Sequence, residues 1–302
     1  MRILFVTSNR LGDAVLSTGL LDHLLRAHPD ARITVACGPV AEGLFLRMPN
    51  RERTIVLDKL PYSGHWLPLW RDVVTTRWDL VVDIRGSALS WLVPTRRRAV
   101  MRRRPGHKLT QLAAVLGLDP PPLPVVWTAP DDHARAAALL PAGHPVVALA
   151  PTANWAPKVW PPERFVALFH ALAGSVLPGA VPAVIGGPGD AEHAMAAPVM
   201  AGLPGAIDLV GPLALPEVSA CLTRCTLFIG NDSGLMHLAA AAGVPTLGVF
   251  GPTDADEYGP SGPHAAAVRA AGTHMADVTL AAVVEAATRL VDVSRCTGGP
   301  GR

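Results

Sequence analysis

A short stretch late in the chain joins small polar residues to the start of an apolar helix. The strand pattern Leu227 to Ile229 is followed by Gly230-Asn231-Asp232-Ser233-Gly234-Leu235-Met236-His237. A helix that begins after such a turn points free backbone amides outward and carries partial positive charge at its N-terminus, so a diphosphate is the natural ligand. His237, one turn further along, either reaches the same anion or packs as an ordinary core histidine.

A loop earlier in the same half of the chain supplies a cation. The strand pattern Val146 to Ala150 leads into Pro151-Thr152-Ala153-Asn154-Trp155-Ala156-Pro157-Lys158-Val159-Trp160-Pro161, and a helical pattern begins near Glu163. The Thr152 hydroxyl and the Lys158 ammonium can together neutralise a diphosphate. The alternative is that Lys158 is solvated surface, because an exposed lysine beside tryptophan side chains is often only that.

Two further strand exits carry acidic residues. The turn Ile185-Gly186-Gly187-Pro188-Gly189-Asp190-Ala191-Glu192 does not match the dinucleotide-binding glycine fingerprint. Glu192 there either accepts hydrogen bonds from ribose hydroxyls or interacts with the helix dipole. After Val249 to Thr253, the pair Asp254 and Asp256 resembles a metal-binding motif, but carboxylates at the start of a short helix are commonly caps. We therefore expect no metal.

One more acidic residue follows the first strand pattern. Ile3 to Val6 leads into Ser8-Asn9-Arg10-Leu11-Gly12-Asp13, which places Asp13 at the start of a helix. A carboxylate in that position can act as a general base. It can equally stabilise the helix, because Asp is favoured near helix N-termini. The residues alone leave both interpretations open.

The densest positive charge in the chain lies between residues 96 and 108. It comprises Arg96, Arg97, Arg98, Arg102, Arg103, Arg104, His107 and Lys108. Charge runs are usually solvated, yet guanidinium groups beside a binding loop can hold phosphates or acidic sugars. Arg97, Arg102 and Arg103 are therefore candidate contacts to an anionic acceptor.

The elements that must position these residues alternate along the chain. Helix-length segments separate strand patterns at Ile3 to Val6, Ile33 to Ala36, Ile55 to Leu57, Leu80 to Val82, Val146 to Ala150, Ala183 to Ile185, Leu227 to Ile229 and Thr246 to Val249. This alternation predicts parallel α/β sheets, in which ligands bind beyond the carboxyl ends of the strands. A length of 302 residues favours two domains. Because the proline-rich segment 119–124 cannot continue a helix, we place the boundary near Gly143, giving domains 1–143 and 144–302.

The composition restricts the class of protein. Hydrophobic residues make up 50% of the chain, and 26 Lys and Arg nearly balance 24 Asp and Glu. These values argue against disorder and against general nucleic-acid binding. The 4 cysteines lack metal-ligand spacing and indicate free thiols in the cytoplasm. The uncharged segment 165–188 is long enough to span a bilayer, but Pro178, Gly179 and Pro182 instead predict a helix, a turn and a buried strand.

Four segments together resemble glycosyltransferase family 9, which contains the ADP-heptose lipopolysaccharide heptosyltransferases. They are Leu11-Gly12-Asp13, Lys158-Val159-Trp160-Pro161, Asn231 to His237, and Phe250-Gly251-Pro252-Thr253. The resemblance implies an α/β GT-B fold, in which two Rossmann-like domains face a central cleft and bind acceptor and donor respectively. It also implies an inverting, metal-independent transfer of heptose without a cofactor, with ADP-heptose as donor and a lipopolysaccharide core or related glycan as acceptor.

Matching the family's motifs residue by residue assigns roles. Asp13 falls on the family's base, and Glu192 is a looser match to its nucleotide-ribose contact. The donor-diphosphate site corresponds to Thr152, Lys158, Asp232, Ser233, Gly234, Leu235 and His237. The expected partners are a nucleotide sugar and an anionic glycolipid or glycan acceptor, with peripheral contact at the inner face of the cytoplasmic membrane.

Two other functions use the same architecture. A sugar-nucleotide epimerase would release an altered sugar nucleotide without any acceptor. A nucleotide-sugar binding module would bind the donor without turnover, although the presence of both Asp13 and a phosphate-binding loop makes this interpretation weaker.

Overall fold

The computed structural model describes residues 1–58, 60–211 and 213–296 and consists of two compact units, Met1–Trp127 and Thr128–Arg302. Each unit is built around one parallel β-sheet.

The first unit has five strands in the order β3-β2-β1-β4-β5. Its strands are β1 (Arg2–Val6), β2 (Arg32–Cys37), β3 (Arg51–Val56), β4 (Trp78–Asp83) and β5 (Thr95–Val100). Its helices are α1 (Leu11–Leu16), α2 (Thr18–Ala27), α3 (Pro39–Glu42), α4 (Trp66–Val73) and α5 (Lys108–Leu116), with short 3₁₀ segments at Gly43–Phe45, Pro61–Ser63 and Ala88–Trp91.

The second unit has six strands in the order β11-β10-β9-β6-β7-β8. Its strands are β6 (Val146–Ala150), β7 (Val181–Gly186), β8 (Ile207–Val210), β9 (Leu227–Asn231), β10 (Thr246–Phe250) and β11 (Ala265–Arg269). Its helices are α6 (Pro130–Leu139), α7 (Pro162–Ala173), α8 (Asp190–Gly202), α9 (Leu215–Thr223), α10 (Gly234–Ala241), α11 (Ala255–Tyr258) and α12 (Leu280–Cys296), with 3₁₀ segments at Ala156–Lys158 and Met275–Asp277.

The central strands form because their sequences are almost wholly apolar. Every residue of β6, β9 and β10 is buried, and β1 exposes only Arg2. Continuous apolar runs of this kind are typical of parallel strands that are covered on both faces. The register places Val147 beside Leu227, so β6 and β9 lie in the middle of the second sheet. Their carboxyl ends therefore emerge side by side.

The predicted central strands are confirmed, whereas three outer strands were missed. β5, β8 and β11 lie at or next to the sheet edges, where exposed residues replace the apolar run that signals a buried strand. β5 falls on the arginine run and was interpreted only as charge. The uncharged segment 165–188 forms the end of α7 and then β7, as predicted. None of the described helices is both long enough and apolar enough to cross a membrane.

The division between the units falls after the proline-rich segment and before α6. Helix α6 packs against α9 and so lies in the second unit. The boundary that we placed near Gly143 lies beyond this helix. The packing partner of α6 is about eighty residues away in sequence, and such a long-range contact leaves no local signal in composition.

Candidate functional site

Each sheet reverses its strand order beside its first strand. In the second unit this switch lies between β6 and β9, and in the first unit it lies between β1 and β4. Ligands of open α/β sheets bind beyond the carboxyl ends of the strands at such a switch. Most of the site residues predicted from the sequence follow one of these four strands.

An ion pair crosses the switch of the second unit. Lys158 Nζ lies 2.6 Å from Asp232 Oδ2, and the two side chains are only 20% and 8% exposed. The Thr253 hydroxyl donates to the same carboxylate oxygen at 2.8 Å. The three residues follow β6, β9 and β10 respectively, so three strand exits converge on one carboxylate. The structure thus brings together Lys158 and Asp232, two residues of the predicted donor-diphosphate site, and adds Thr253, to which we had assigned no role.

A buried amide fixes the loop that carries Lys158. Asn231, which is fully buried, donates from Nδ2 to the Pro151 carbonyl at 2.8 Å and accepts from the Trp160 backbone amide at 3.1 Å. The Trp160 ring is itself buried and packs edge-on against Phe165, with the ring centroids 5.1 Å apart. The loop is therefore held at both ends, and the ammonium of Lys158 is positioned rather than free to move.

The N-terminus of α10 has an unused cap. Ser233 occupies the cap position, but its side chain makes no capping hydrogen bond. Its buried Oγ also has no hydrogen-bond partner among the described residues. A buried hydroxyl without a partner is costly, and serine at a cap normally accepts from the first turn. The first amides of an α-helix have no partner within the helix, so the Ser233 hydroxyl and the amides of Gly234 and Leu235 are candidate donors to an anion.

Thr152 and Glu192 both lie close to Gly186, on the β7 side of β6. A methyl group built on Gly186, at the end of β7, would lie 3.4 Å from Glu192 Oε2 and 3.5 Å from Thr152 Cγ2. Glu192 Oε2 also accepts from the Gly187 amide at 3.0 Å. The carboxylate therefore orders the glycine turn, and its other oxygen makes no hydrogen bond to the described residues.

Two residues of the predicted donor site are buried on α10. Leu235 is 8% exposed and His237 is 5% exposed. The side chain of Leu235 packs inward, so only its backbone amide can serve a ligand. His237 follows Ser233 by one helical turn, and its position agrees with either interpretation given above.

In the first unit, Asp13 lies in the first turn of α1 and is partly buried. Its Oδ2 accepts from the Ser8 hydroxyl at 3.3 Å. Within the described residues its carboxylate accepts no hydrogen bond from a helix amide. Asp13 thus makes no capping hydrogen bond, but its place in the first turn still suits the helix dipole, so both interpretations given above stay open.

A second arrangement at the first unit's switch was missed by sequence reasoning. The buried carboxylate of Asp83, at the end of β4, accepts from the amides of Arg85 and Ser87, each at 2.9 Å. Arg85 then donates to Asn9 Oδ1 at 3.1 Å, and its guanidinium carbon lies 4.7 Å from the centre of the Trp66 ring. Desolvation lowers the pKa of Arg85, an effect that the nearby Asp83 charge opposes. An acidic residue directly after the buried β4 pattern was the available signal.

The candidate acceptor arginines occupy two different places. Arg97 lies in the middle of the outer strand β5 rather than after its carboxyl end. Arg102 and Arg103 follow that end and are exposed. Only Arg102 and Arg103 therefore lie beyond the carboxyl end of a strand, where ligands of this fold bind.

The acidic pair near the end of β10 has other partners. Asp254 caps α11 by accepting from the Asp256 amide at 2.8 Å, and Asp256 pairs with Arg269. This pairing lowers the pKa of Asp256. No group of three or more potential metal ligands occurs in the part of the chain that the structure describes.

Comparison with known proteins identifies the family. The sequence model of glycosyltransferase family 9 (heptosyltransferase) matches residues 92–286, which is more than half of the chain. The chain belongs to glycosyltransferase family 9. It is therefore a glycosyltransferase, and the predicted family and fold are confirmed.

Two curated relatives carry related names. Lipooligosaccharide heptosyltransferase 2 of Haemophilus influenzae is 24% identical over 84% of this chain and 84% of its own length. Lipopolysaccharide heptosyltransferase 3 of Escherichia coli is 32% identical, but the match covers 37% of this chain and 33% of that protein.

Solved structures of family members share the fold. A family 9 glycosyl transferase from Veillonella parvula superimposes with a TM-score of 0.82 at 22% identity over 97% of both chains. E. coli ADP-heptose lps heptosyltransferase II gives a TM-score of 0.78 at 22% identity, covering 98% of this chain and 100% of that one. E. coli heptosyltransferase WaaC with ADP gives 0.73 at 20% identity, covering 94% and 98%. This family 9 glycosyltransferase thus has the GT-B fold of two Rossmann-like units.

Proposed function

We propose that this glycosyltransferase transfers heptose from ADP-heptose to a lipopolysaccharide core or a related anionic glycan, with inversion at the anomeric carbon. The observation that carries the proposal is the junction of Lys158 with the uncapped N-terminus of α10 beyond β6 and β9. The names of the relatives support the sugar, and the solved structure with ADP supports the nucleotide.

The diphosphate of the donor binds between Lys158 and Ser233 in this proposal. An ammonium has three donors, so Lys158 can keep its bond to Asp232 and still offer hydrogen bonds to phosphate oxygens. The Ser233 hydroxyl and the α10 amides supply further donors. Negative charge grows on the diphosphate as it leaves. Fixed hydrogen-bond donors there therefore stabilise the transition state more than they stabilise the bound sugar nucleotide.

Asp232 acts as a positioning residue rather than as a phosphate ligand. Its carboxylate would repel a diphosphate directly, but it fixes the Lys158 ammonium and the Thr253 hydroxyl. In this proposal Glu192 and Thr152 contact the nucleotide, and the Glu192 oxygen that is not bonded to the Gly187 amide accepts from ribose hydroxyls. His237, which is buried one helical turn after Ser233, belongs to the donor site in this proposal.

Asp13 is the general base in this proposal. The acceptor hydroxyl attacks the anomeric carbon, its proton passes to the Asp13 carboxylate, and the bond between the sugar and the diphosphate breaks with the electron pair leaving on ADP. Arg102 and Arg103 hold anionic groups of the acceptor, and Arg85 adds a guanidinium fixed by Asn9. No metal takes part in any of these steps, and the protein requires no cofactor.

The test measures ADP release from ADP-heptose by the purified chain, with and without a phosphorylated lipopolysaccharide core acceptor. We expect ADP release that depends on the acceptor and a product heavier by one heptose in mass spectrometry. Conversion of the sugar nucleotide without acceptor would instead support the epimerase. Binding of ADP-heptose without any conversion would support the binding module, and either result would refute the proposal.

A further inference from the structure

The loop between β1 and α1 lies between two neighbouring strand exits. Strand β1 pairs with β2 on one side and with β4 on the other, and all three strands run parallel. The residues Ser8 and Asn9 lead from β1 towards the helix that carries Asp13. Because parallel strands place their carboxyl ends at the same edge of the sheet, the exits of β2 and β4 flank this loop. The loop before the proposed base can therefore be held from both sides.

The exit of β2 packs directly against the backbone of the loop. The amide of Gly38, the residue after β2, donates to the Ser8 carbonyl at 3.3 Å. A methyl group built on Gly38 would lie 2.6 Å from Asn9 Cα, which is too short for a contact between two carbon atoms. Only glycine allows this close approach of two backbones. The loop is thus fixed against movement towards β2.

The exit of β4 reaches the side chain of Asn9 through Arg85. Arg85 Nη1 donates to Asn9 Oδ1 at 3.1 Å. On its other side, the guanidinium carbon lies 4.7 Å from the centre of the ring of Trp66, the first residue of α4, which is a cation–π distance. The guanidinium is therefore held between the β1–α1 loop and α4, although Arg85 as a whole residue is exposed.

A buried carboxylate fixes the turn that presents Arg85. Asp83 is fully buried and accepts from the amides of Arg85 and Ser87 and from the Ser87 hydroxyl, the last at 2.6 Å. Gly86, within this turn, has a φ of 64°, in the left-handed region that glycine adopts without strain. Three hydrogen bonds to one charged group hold the turn in one arrangement. The starting point of the Arg85 side chain is thereby set.

Ser8 connects the loop to the carboxylate of Asp13. The Ser8 hydroxyl accepts from the Arg10 amide at 3.1 Å and donates to Asp13 Oδ2 at 3.3 Å. Asn9 lies between Ser8 and Arg10 in the chain, so a displacement of Asn9 also displaces the hydroxyl that contacts Asp13. A general base must lie within hydrogen-bond reach of the proton that it takes, and a shift of about 1 Å is enough to lower the rate strongly.

We propose that Arg85 is a positioning residue for the general base and that it acts through Asn9. Its hydrogen bond holds the loop against Gly38, which keeps the Asp13 carboxylate within reach of the acceptor hydroxyl. The inference deepens the proposed function and rests on it, because it assumes that Asp13 is the base. A guanidinium has five donors, so the bond to Asn9 leaves others for an anionic group of the acceptor.

Hydrogen–deuterium exchange of the full chain tests the contact between Arg85 and Asn9 without any substrate. In Arg85→Ala, the amides of residues 8–14 should exchange about tenfold faster, because the loop loses one of its two contacts. Asn9→Ala should give a similar increase. Arg71→Ala, at an exposed position of α4, is the matched control and should exchange as the unchanged chain does. Unchanged exchange in Arg85→Ala, or an equal increase throughout the first unit, would overturn the proposal.

The second measurement is kcat for ADP release at saturating acceptor, where weaker acceptor binding does not contribute. Arg85→Ala and Asn9→Ala should each lower kcat about tenfold and leave KM for ADP-heptose unchanged. The double variant should be no slower than either single variant, because both changes remove the same contact. In an Asp13→Asn background, Arg85→Ala should cause no further loss. An unchanged kcat in Arg85→Ala, or the full loss again in the Asp13→Asn background, would show that Arg85 does not act through Asp13.

The two measurements separate this inference from the proposed function. Exchange requires neither donor nor acceptor, so it reports on the loop whether or not heptose is transferred. No ADP release from the unchanged chain would refute the proposed function, and with it the role of Arg85 towards the base. Normal transfer by the unchanged chain, together with unchanged exchange in Arg85→Ala, would refute the inference alone.

Discussion

The ammonium of Lys158 is held in position by its ion pair with Asp232. Its residue type and its place after a predicted strand were enough to suggest a phosphate contact. Its partner Asp232, and Thr253, which donates to Asp232, follow later strands, and only the folded sheet places the three residues side by side. The side chain of Lys158 is mostly buried, so its charge is less screened than that of a surface lysine.

Replacing Lys158 tests the diphosphate site. Lys158→Ala should weaken ADP binding about tenfold to a hundredfold, because charge-assisted hydrogen bonds to phosphate are lost. Titration calorimetry at two salt concentrations measures the change. Lys108→Ala removes the same charge from the first unit and should leave ADP affinity unchanged. Equal affinities for all three proteins would show that Lys158 does not contact the donor.

Replacing Asp13 separates a base from a helix cap. Asp13→Asn keeps the size of the side chain but cannot take the acceptor proton, so turnover should fall by roughly 10² to 10⁴ while ADP affinity and Tm change little. Asp13→Ala provides the comparison, since loss of a cap would lower stability by about 1 kcal/mol without a specific loss of chemistry. Single-turnover transfer and thermal melts are the measurements. Transfer near the normal rate by Asp13→Asn would refute the catalytic role.

The strand ends near the switch points explain why the predicted residues meet. The central strands were predictable because their apolar runs are unbroken, and their order in the sheet follows the usual doubly wound pattern. The hydrogen bonds between their exits were not predictable. Asn231 belongs to a recognised motif, but its contacts with Pro151 and Trp160 span about seventy to eighty residues and depend on the neighbouring positions of β6 and β9.

Replacing Asn231 tests whether its side-chain amide fixes the loop that carries Lys158. Asn231→Ala leaves the Pro151 carbonyl and the Trp160 amide without their buried partner, so the free energy of unfolding should fall by about 2 kcal/mol. ADP affinity should fall as well, because the loop that carries Lys158 is no longer fixed. Urea unfolding and calorimetry measure the two effects. An unchanged ADP affinity in Asn231→Ala would mean that the loop holds its position without this amide.

For the whole molecule, the buried thiols link stability to pH. Burial raises the pKa of Cys225 to about 12, that of Cys37 to about 12 and that of Cys221 to about 11. An unfolded thiol titrates near pH 8.5, roughly. Above that value the unfolded chain releases protons that the folded chain retains, so unfolding becomes easier as pH rises. These thiols therefore stabilise the fold at neutral pH and cease to do so in alkali.

Removing one thiol should flatten this dependence. Cys225→Ala should cost stability at neutral pH, but the difference from the unchanged chain should shrink above about pH 9, by at most roughly 1.4 kcal/mol per pH unit. Urea unfolding between neutral and alkaline pH measures the slope. Cys296→Ala, at an exposed position, is the control. Parallel slopes for the unchanged chain and Cys225→Ala would contradict the assigned shift.

The two outer strands of the first sheet have a further consequence for the protein in a crowded cell. β3 contains Arg51 and Arg53, and β5 contains three consecutive arginines. The unpaired backbone of an outer strand can recruit a strand from another copy, and charged side chains on that strand oppose such pairing. Neutralising the arginines of β5 would therefore remove a safeguard against aggregation that operates whether or not any sugar or lipid is present.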